Sequence, residues 1–139
     1  MEFWRLTHYG TVAPVGAAAP MALDVDQRTN LEKFGFGLPA GQTARHHTPG
    51  SDDPGLPAVW VDPTSSRLRI EFLRRKQSAK PGIRYEVEFS SDLVTWTSGG
   101  VLLERTSLNT AWERTRFEDQ QSLTGETPQR FVRVKLIQE

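Results

Sequence analysis

From Ala58 onward, apolar and polar residues alternate along the chain, and this pattern limits the possible folds more than any other feature. Side chains of a β-strand point alternately to its two faces, so each alternating stretch predicts a strand with one buried and one solvated face. The alternation is clearest in four stretches, Val59–Val61, Leu68–Phe72, Tyr85–Phe89 and Val132–Leu136. Weaker strand candidates are residues 101–106 and 112–118. Short strands separated by turns favour a mainly β fold, an antiparallel β-sandwich of the fibronectin or jelly-roll kind.

Two short helices are expected before the strands. Apolar residues recur at helical spacing near the start of the chain, at Phe3, Trp4, Leu6 and Tyr9. A second helix should begin at Thr29, because Glu32 three places on completes a capping box in which each side chain satisfies a backbone N–H of the other residue. Its apolar stripe would be Leu31, Phe34 and Leu38.

The chain is therefore expected to have three parts. Residues 1–40 form a helix-loop-helix segment, and residues 58–139 form the β-sandwich domain. Between them, residues 41–57 are rich in Gly, Pro and polar side chains, a composition that cannot build a core, so they are expected to be a surface linker.

Composition excludes several classes of protein. Seventeen basic and seventeen acidic residues give a formal net charge of zero, whereas nucleic-acid-binding proteins normally have a clear basic excess. The absence of Cys excludes disulfides and zinc thiolate sites. No apolar run reaches the roughly 18 residues of a membrane span. Met1–Gly10 lacks the apolar core of a signal peptide, so an export signal is expected on a larger parent chain.

The segment Ala22–Phe34 has the outline of an acidic calcium loop that runs into a helix. In EF-hand-type loops, oxygen ligands occupy alternate positions and a final bidentate Glu closes the site. Placing Asp24 and Asp26 at the third and fifth positions puts Asn30 at the ninth. These three residues are the candidate metal ligands.

The same alignment shows where the loop departs from a working calcium site. Ala22 stands at the first ligand position, Gln27 at the position of the turn glycine, and Lys33 in place of the closing Glu. Ca²⁺ takes about six to eight oxygen ligands, and the remaining residues supply too few. We therefore expect no cofactor, with calcium as the less favoured alternative, and Lys33 could itself provide the charge that a metal would.

Several segments together resemble a region common near the C-termini of large secreted bacterial proteins, akin to thrombospondin type 3 and dockerin-type calcium loops. In residues 1–40 the resemblance is carried by Phe3-Trp4-Arg5, His8 to Thr11, Gly16-Ala17-Ala18, Asp24-Val25-Asp26 and Asn30 to Leu38. In the β part it is carried by Leu68 to Lys76, Tyr85 to Trp96 and Arg130 to Val134. This copy departs from the pattern at the metal ligands.

The resemblance implies a non-catalytic C-terminal module of a larger exported protein, extracellular or on the cell surface. Such a module would be a spacer, an anchor or an interaction domain. Its partners would be the rest of the parent chain and a polysaccharide or other cell-envelope component.

A carbohydrate-binding module is the alternative function. Trp60 faces away from Val59 and Val61 on its strand, and Trp112 opens a charged segment. If both rings were exposed on one face, they could stack on sugar rings as aromatic platforms do. The competing interpretation is that these rings cover the linker or an appended helix.

The remaining motifs favour structural roles. Ser91 to Trp96 is similar to the turns of sialidase Asp-boxes, in which Asp92 would accept backbone N–H groups while Trp96 packs back beneath it. His46-His47 with Asp52-Asp53 could suggest a metal cluster, but adjacent His residues in a Gly/Pro loop seldom point at one ion. His8 is expected to pack within the opening aromatic segment.

A run of basic residues raises the question of polyanion binding. It comprises Arg67, Arg69, Arg74, Arg75, Lys76, Lys80 and Arg84. The plainer interpretation is ion pairing with Glu86 and Glu88 on the outer face of the next strand. Because no nucleophile, zinc-protease or phosphate-binding motif occurs, we predict that the chain is not an enzyme.

Overall fold

The computed structural model describes residues 1–139 and confirms the mainly β fold, two antiparallel sheets packed as a sandwich with short helices before them. The helices are α1, Glu2–Tyr9, and α2, Asn30–Gly35. The strands are β1 Ala58–Val61, β2 Arg67–Arg75, β3 Ile83–Ser90, β4 Thr97–Ser98, β5 Val101–Ser107, β6 Trp112–Ser122 and β7 Phe131–Gln138. Neither helix has the length and apolar character required to cross a bilayer.

The strand order resembles that of an immunoglobulin-type sandwich. One sheet has the order β1-β2-β6-β5 and the other β4-β3-β7. With the strands labelled A, B, C, C′, D, E and F in chain order, the first sheet is the ABED sheet of that architecture, which fibronectin type III domains share. The second sheet contains C′, C and F but no strand G. An eight-stranded jelly roll does not fit this order.

The main core lies between the sheets and is completed by residues from outside the strands. Inner-face residues of β2 and β3 form its centre, including Ile70 and Phe72, which are 1% and 0% exposed. Phe36 and Leu38, which follow α2, join this cluster, and the Phe36 ring meets Phe72 edge-on at 6.0 Å between centroids. Leu56 from residues 41–57 also belongs to it. Residues 1–57 therefore supply part of the sandwich's own core.

The two helices pack on one end of the sandwich through a smaller cluster. It consists of Trp4, Leu31, Phe34 and Ile83. The indole N–H of Trp4 donates to the Leu38 carbonyl at 3.2 Å, a buried bond that fixes α1 against the end of α2. The predicted capping box at the start of α2 is present. His8 lies against Trp4, with 4.6 Å between the ring centroids.

Residues 41–57, expected to be a linker, run across the outer face of the first sheet. His46 and Leu56 form a parallel bridge, and the neighbouring His47 is only 2% exposed. Gly55 allows this close approach, because a Cβ at that position would collide with the backbone of His46 and His47. Backbone pairing and buried side chains therefore hold this segment in place, although its composition alone predicts a free surface linker.

One edge of the sandwich is left open where strand G would lie. β7 pairs only with β3, so its outer edge has no strand partner. In the facing sheet, Val59 and Val61 of the edge strand β1 point to the inner face, yet they remain 49% and 44% exposed. Arg133 and Lys135 stand exposed on β7, and charged side chains of this kind protect an open edge from pairing with other chains.

Candidate functional site

The acidic loop and α2 form a buried charge cluster centred on Lys33. The Lys33 ammonium lies 3.3 Å from an oxygen of Asp24 and 3.0 Å from an oxygen of Asp26. It also donates to the backbone carbonyl of Gln42. The Lys33 side chain is 0% exposed and the two carboxylates are 7% and 9% exposed. The ammonium therefore lies where the two carboxylates and the Gln42 carbonyl converge.

The loop backbone orients both carboxylates. Asp24 accepts the N–H groups of Val25 and Gly41, both at 2.8 Å. Asp26 accepts the N–H groups of Arg28 at 3.2 Å and Ala44 at 2.7 Å. These bonds tie the acidic loop to the start of the 41–57 segment, so the cluster joins two parts of the chain.

Gln27 retains the turn that glycine makes in calcium loops. Its φ is 65°, in the left-handed region that glycine adopts without steric cost. Gln27 therefore makes the left-handed turn that the aligned glycine of a calcium loop would make. The difference from a metal site lies in the ligands and in Lys33.

The charges in the cluster shift the acidic pKa values downward. Burial alone would raise the pKa of Asp26, but the Ala44 N–H, Lys33 and the Arg28 N–H together lower it to about 2. The pKa of Asp24 is also lowered, because its backbone hydrogen bonds and Lys33 outweigh the effect of burial. Both groups are thus held as carboxylates opposite the ammonium.

The cluster does not fit a calcium ion. Asn30, predicted as a third ligand, is turned away from the aspartates: its oxygen accepts the Tyr9 hydroxyl at 2.8 Å and its nitrogen donates to the carbonyls of Ala17 and Ala19. Lys33 fills the centre, and Ca²⁺ would need about six to eight oxygens there. No group of three or more His, Cys, Asp or Glu side chains converges anywhere in the chain.

Trp60 and Trp112 lie on the outer face of the first sheet but do not form one platform. Trp60 is opposite Arg69 and Trp112 is opposite Arg75, so they sit six residues apart along β2. Both rings are half-buried. A guanidinium covers each one, Arg116 at 5.6 Å from the Trp60 centroid and Arg75 at 4.4 Å from that of Trp112.

A second buried charge cluster was not anticipated from the sequence. Glu71, on the outer face of β2, is 0% exposed. It accepts from the Gly50 N–H at 2.6 Å and from Arg116 at 2.6 Å, and it lies 2.6 Å from the His47 ring. The alternation pattern marks Glu71 as solvated, and only the presence of a His within the 41–57 segment hints at the contact.

The His-Asp group of that segment is used for these structural contacts. His47 points one ring nitrogen to Glu71 and the other to the backbone carbonyl of Asp53 at 2.7 Å. Asp52 pairs with Arg114 at 2.9 Å, and His46 is exposed. The four residues do not converge on a common point.

The prediction that the basic residues of β2 pair with Glu86 and Glu88 is wrong. β2 and β3 are consecutive in the chain but lie in different sheets. The cations of β2 instead face acidic residues of β6, in the pairs Arg69–Glu118 at 2.8 Å and Arg74–Glu113 at 3.7 Å. Glu88 pairs with Arg133 on β7 at 3.2 Å.

The turn after β3 has the predicted hydrogen bonds. Asp92 accepts the N–H groups of Val94 and Thr95 at 2.9 and 2.8 Å. The Trp96 indole folds back and donates to the Leu93 carbonyl at 3.2 Å, while Arg133 covers its ring at 4.0 Å. Its contacts are those of a structural turn.

No protein-family model matches this chain, and the searches found no similar curated protein and no similar solved structure.

Proposed function

We propose that this chain is a non-catalytic structural or interaction module of a larger exported protein, a spacer, anchor or binding domain that works without a metal. The observation that carries the proposal is the buried Lys33 ammonium between Asp24 and Asp26. A loop with the outline of an extracellular calcium motif keeps its backbone shape and its carboxylates, while a side chain of the protein supplies the cation. The module is thereby stabilised wherever it is located.

The other buried acidic side chains support a structural role in the same way. Glu71 is bound by Arg116, Glu113 by Arg105 at 2.6 Å, and Asp119 by Arg130 at 2.7 Å. Each of these carboxylates is therefore held in an ion pair between parts of the fold, which supports a structural role for it.

Thermal unfolding of the isolated chain, with millimolar calcium and with a chelator, tests the proposal. We expect one cooperative transition with the same midpoint in both solutions, because a ligand that bound the native state would raise the midpoint. An increase on adding calcium would contradict the metal-independent module.

Fusion to a carrier tests the modular role separately. When an unrelated soluble protein is joined ahead of Met1, we expect the chain to unfold at the midpoint of the isolated chain and the carrier at its own.

Hydrolysis of a fluorogenic glycoside or ester panel that disappeared in Glu113→Gln would contradict the non-catalytic assignment.

A further inference from the structure

A basic cleft opens where the end of β2 and the start of β3 approach the end of β5 and the start of β6, and none of its lining residues belongs to the Lys33 cluster. Its volume is about 580 Å³, within the range of about 300–1,000 Å³ typical of small-molecule sites. Five lining side chains are cationic and one is a carboxylate, a formal charge of +4: Arg74, Arg75, Lys76, Arg84, Arg105 and Glu113. Such a charge excess in a concave site attracts anions.

Arg75 brings an uncompensated charge to this cleft. Its guanidinium is stacked 3.9 Å from the Phe34 ring centroid and 4.4 Å from that of Trp112, and its Nε donates to the Phe34 carbonyl at 3.0 Å. No carboxylate pairs with it, and burial lowers its pKa. Its terminal nitrogens have no acceptor in the protein and are not sealed from solvent. The aromatic rings therefore fix a guanidinium that lines the cleft and whose terminal donors have no acceptor in the protein.

The other cations are only partly neutralised. Glu113 is shared between Arg105 at 2.6 Å and Arg74 at 3.7 Å. The Lys76 ammonium is bonded to a neutral group, the Ser107 hydroxyl, at 2.5 Å. Arg84 pairs with Glu86 at 3.2 Å on the exposed rim. A ligand with several negative groups would supply the missing charge.

We propose that this cleft binds a short acidic saccharide that carries sulfate or uronate groups. The planar fork of a guanidinium binds such oxyanions through two parallel hydrogen bonds. The Ser78 hydroxyl and the Gln77 amide oxygen in the lining make no hydrogen bond within the protein, so they can exchange hydrogen bonds with sugar hydroxyls. This cleft does not include Lys33, Asp24 or Asp26. A failure to bind acidic sugars would therefore leave the metal-independent stability of the module untouched.

Nucleic acid fits the cleft less well than an acidic sugar. Single-stranded nucleic acids bind largely by stacking their bases on open aromatic rings. Here Tyr85 is the one aromatic residue of the lining, and the Phe34 and Trp112 rings beside it are covered by Arg75. The Tyr85 hydroxyl is itself used, because it donates to the Gly35 carbonyl at 2.5 Å.

Calorimetric titration of the full chain tests the proposal with four probes. Trigalacturonate and sucrose octasulfate are the carboxylated and sulfated arms, maltotriose is the neutral control, and a short single-stranded oligonucleotide is the competing polyanion. We expect at least one acidic sugar to bind, with an affinity that falls as salt is added, and we expect no comparable binding of maltotriose or the oligonucleotide. The arm that binds identifies the acidic group.

Matched variants locate the binding. The double variant Lys76→Gln/Arg84→Gln removes two charges from the cleft, and Arg28→Gln/Lys135→Gln removes two exposed charges elsewhere. The first should weaken binding at least about tenfold, since a hydrogen bond to a charged group contributes at least that much; the second should leave it nearly unchanged. Thermal melts verify folding, and the two single variants replace the double if it does not unfold cooperatively.

Four results would overturn the proposal. They are no binding of either acidic sugar, equal binding of maltotriose, equally tight binding of the oligonucleotide, and equal losses in the cleft and control variants.

Discussion

Replacing Lys33 by Met removes the ammonium from the centre of the acidic loop while keeping a flexible side chain of similar length. The lysine is 0% exposed and contacts both Asp24 and Asp26. Removing one partner of a buried ion pair costs about 3–5 kcal/mol, because the remaining charge stays buried without a counter-charge. Native domains are stable by only about 5–15 kcal/mol, so this single change should remove a large part of the free energy of unfolding.

The loss is measurable as a thermal shift. For a domain of this length, 1 kcal/mol corresponds to about 3–4 °C in the melting midpoint, so we expect a decrease of roughly 10–20 °C at neutral pH. Circular dichroism during heating, combined with urea unfolding, gives the midpoint and the free energy. The triple variant Lys33→Met/Asp24→Asn/Asp26→Asn is the control. It removes the stranded carboxylates and should recover much of the loss.

The pH dependence provides a further check on this reasoning. Without Lys33 the two carboxylates repel each other, so their pKa values rise in the folded variant and protonation relieves the strain. The difference in free energy of unfolding between the native chain and Lys33→Met should therefore shrink below about pH 4, where the aspartates begin to take up protons. A loss below about 1 kcal/mol, in the range of an exposed pair, or a loss that stays constant with pH, would refute the view that the ammonium replaces a metal.

Further predictions concern the metal, acid unfolding and the 41–57 segment. Lys33→Glu should lower the melting midpoint further than Lys33→Met, because it places a third carboxylate beside Asp24 and Asp26, and millimolar calcium should restore neither midpoint, because too few oxygens converge there. The pKa of Asp26 is lowered from 3.8 to about 2, so the stabilisation that this carboxylate gives the fold is complete above about pH 4 and is lost as the pH falls through 2. The free energy of unfolding of Asp26→Asn, measured as the pH is lowered, should therefore fall less steeply than that of the native chain. Gly55→Ala should lower the midpoint, because its Cβ meets backbone, and Gly125→Ala, where no atom lies within 4 Å, should not. Glu71→Ala should make residues 41–57 sensitive to limited proteolysis, and unchanged cleavage would show that the cluster does not hold them.

The alternation of residues was sufficient to predict six of the seven strands because it is a local property of each segment; the two-residue strand β4 is too short to show it. Strand β2, for example, buries Leu68, Ile70 and Phe72, as the sequence pattern requires. The capping box at the start of α2 was predictable for the same reason, since its two residues are three positions apart.

The pairing of strands and the burial of charges depend on distant parts of the chain. β2 pairs with β6 rather than with β3, which moved Arg69 and Arg74 away from the expected acidic partners. Glu71 follows the polar side of the alternation, yet it is buried because the 41–57 segment lies over it. Trp60 could be assigned to a face from the sequence, but Trp112 could not, and neither could the guanidiniums that cover the two rings.

A cation attached by a covalent side chain cannot be diluted. A metal ion leaves its loop at a finite rate and returns in proportion to its concentration. The occupancy of a calcium loop therefore follows the calcium concentration, and a chelator can remove the ion. Lys33 is present at unit stoichiometry in every folded molecule, and chelators have nothing to remove. A loop with a built-in cation would not respond to calcium, and its charge cluster would stay assembled when the ion is scarce.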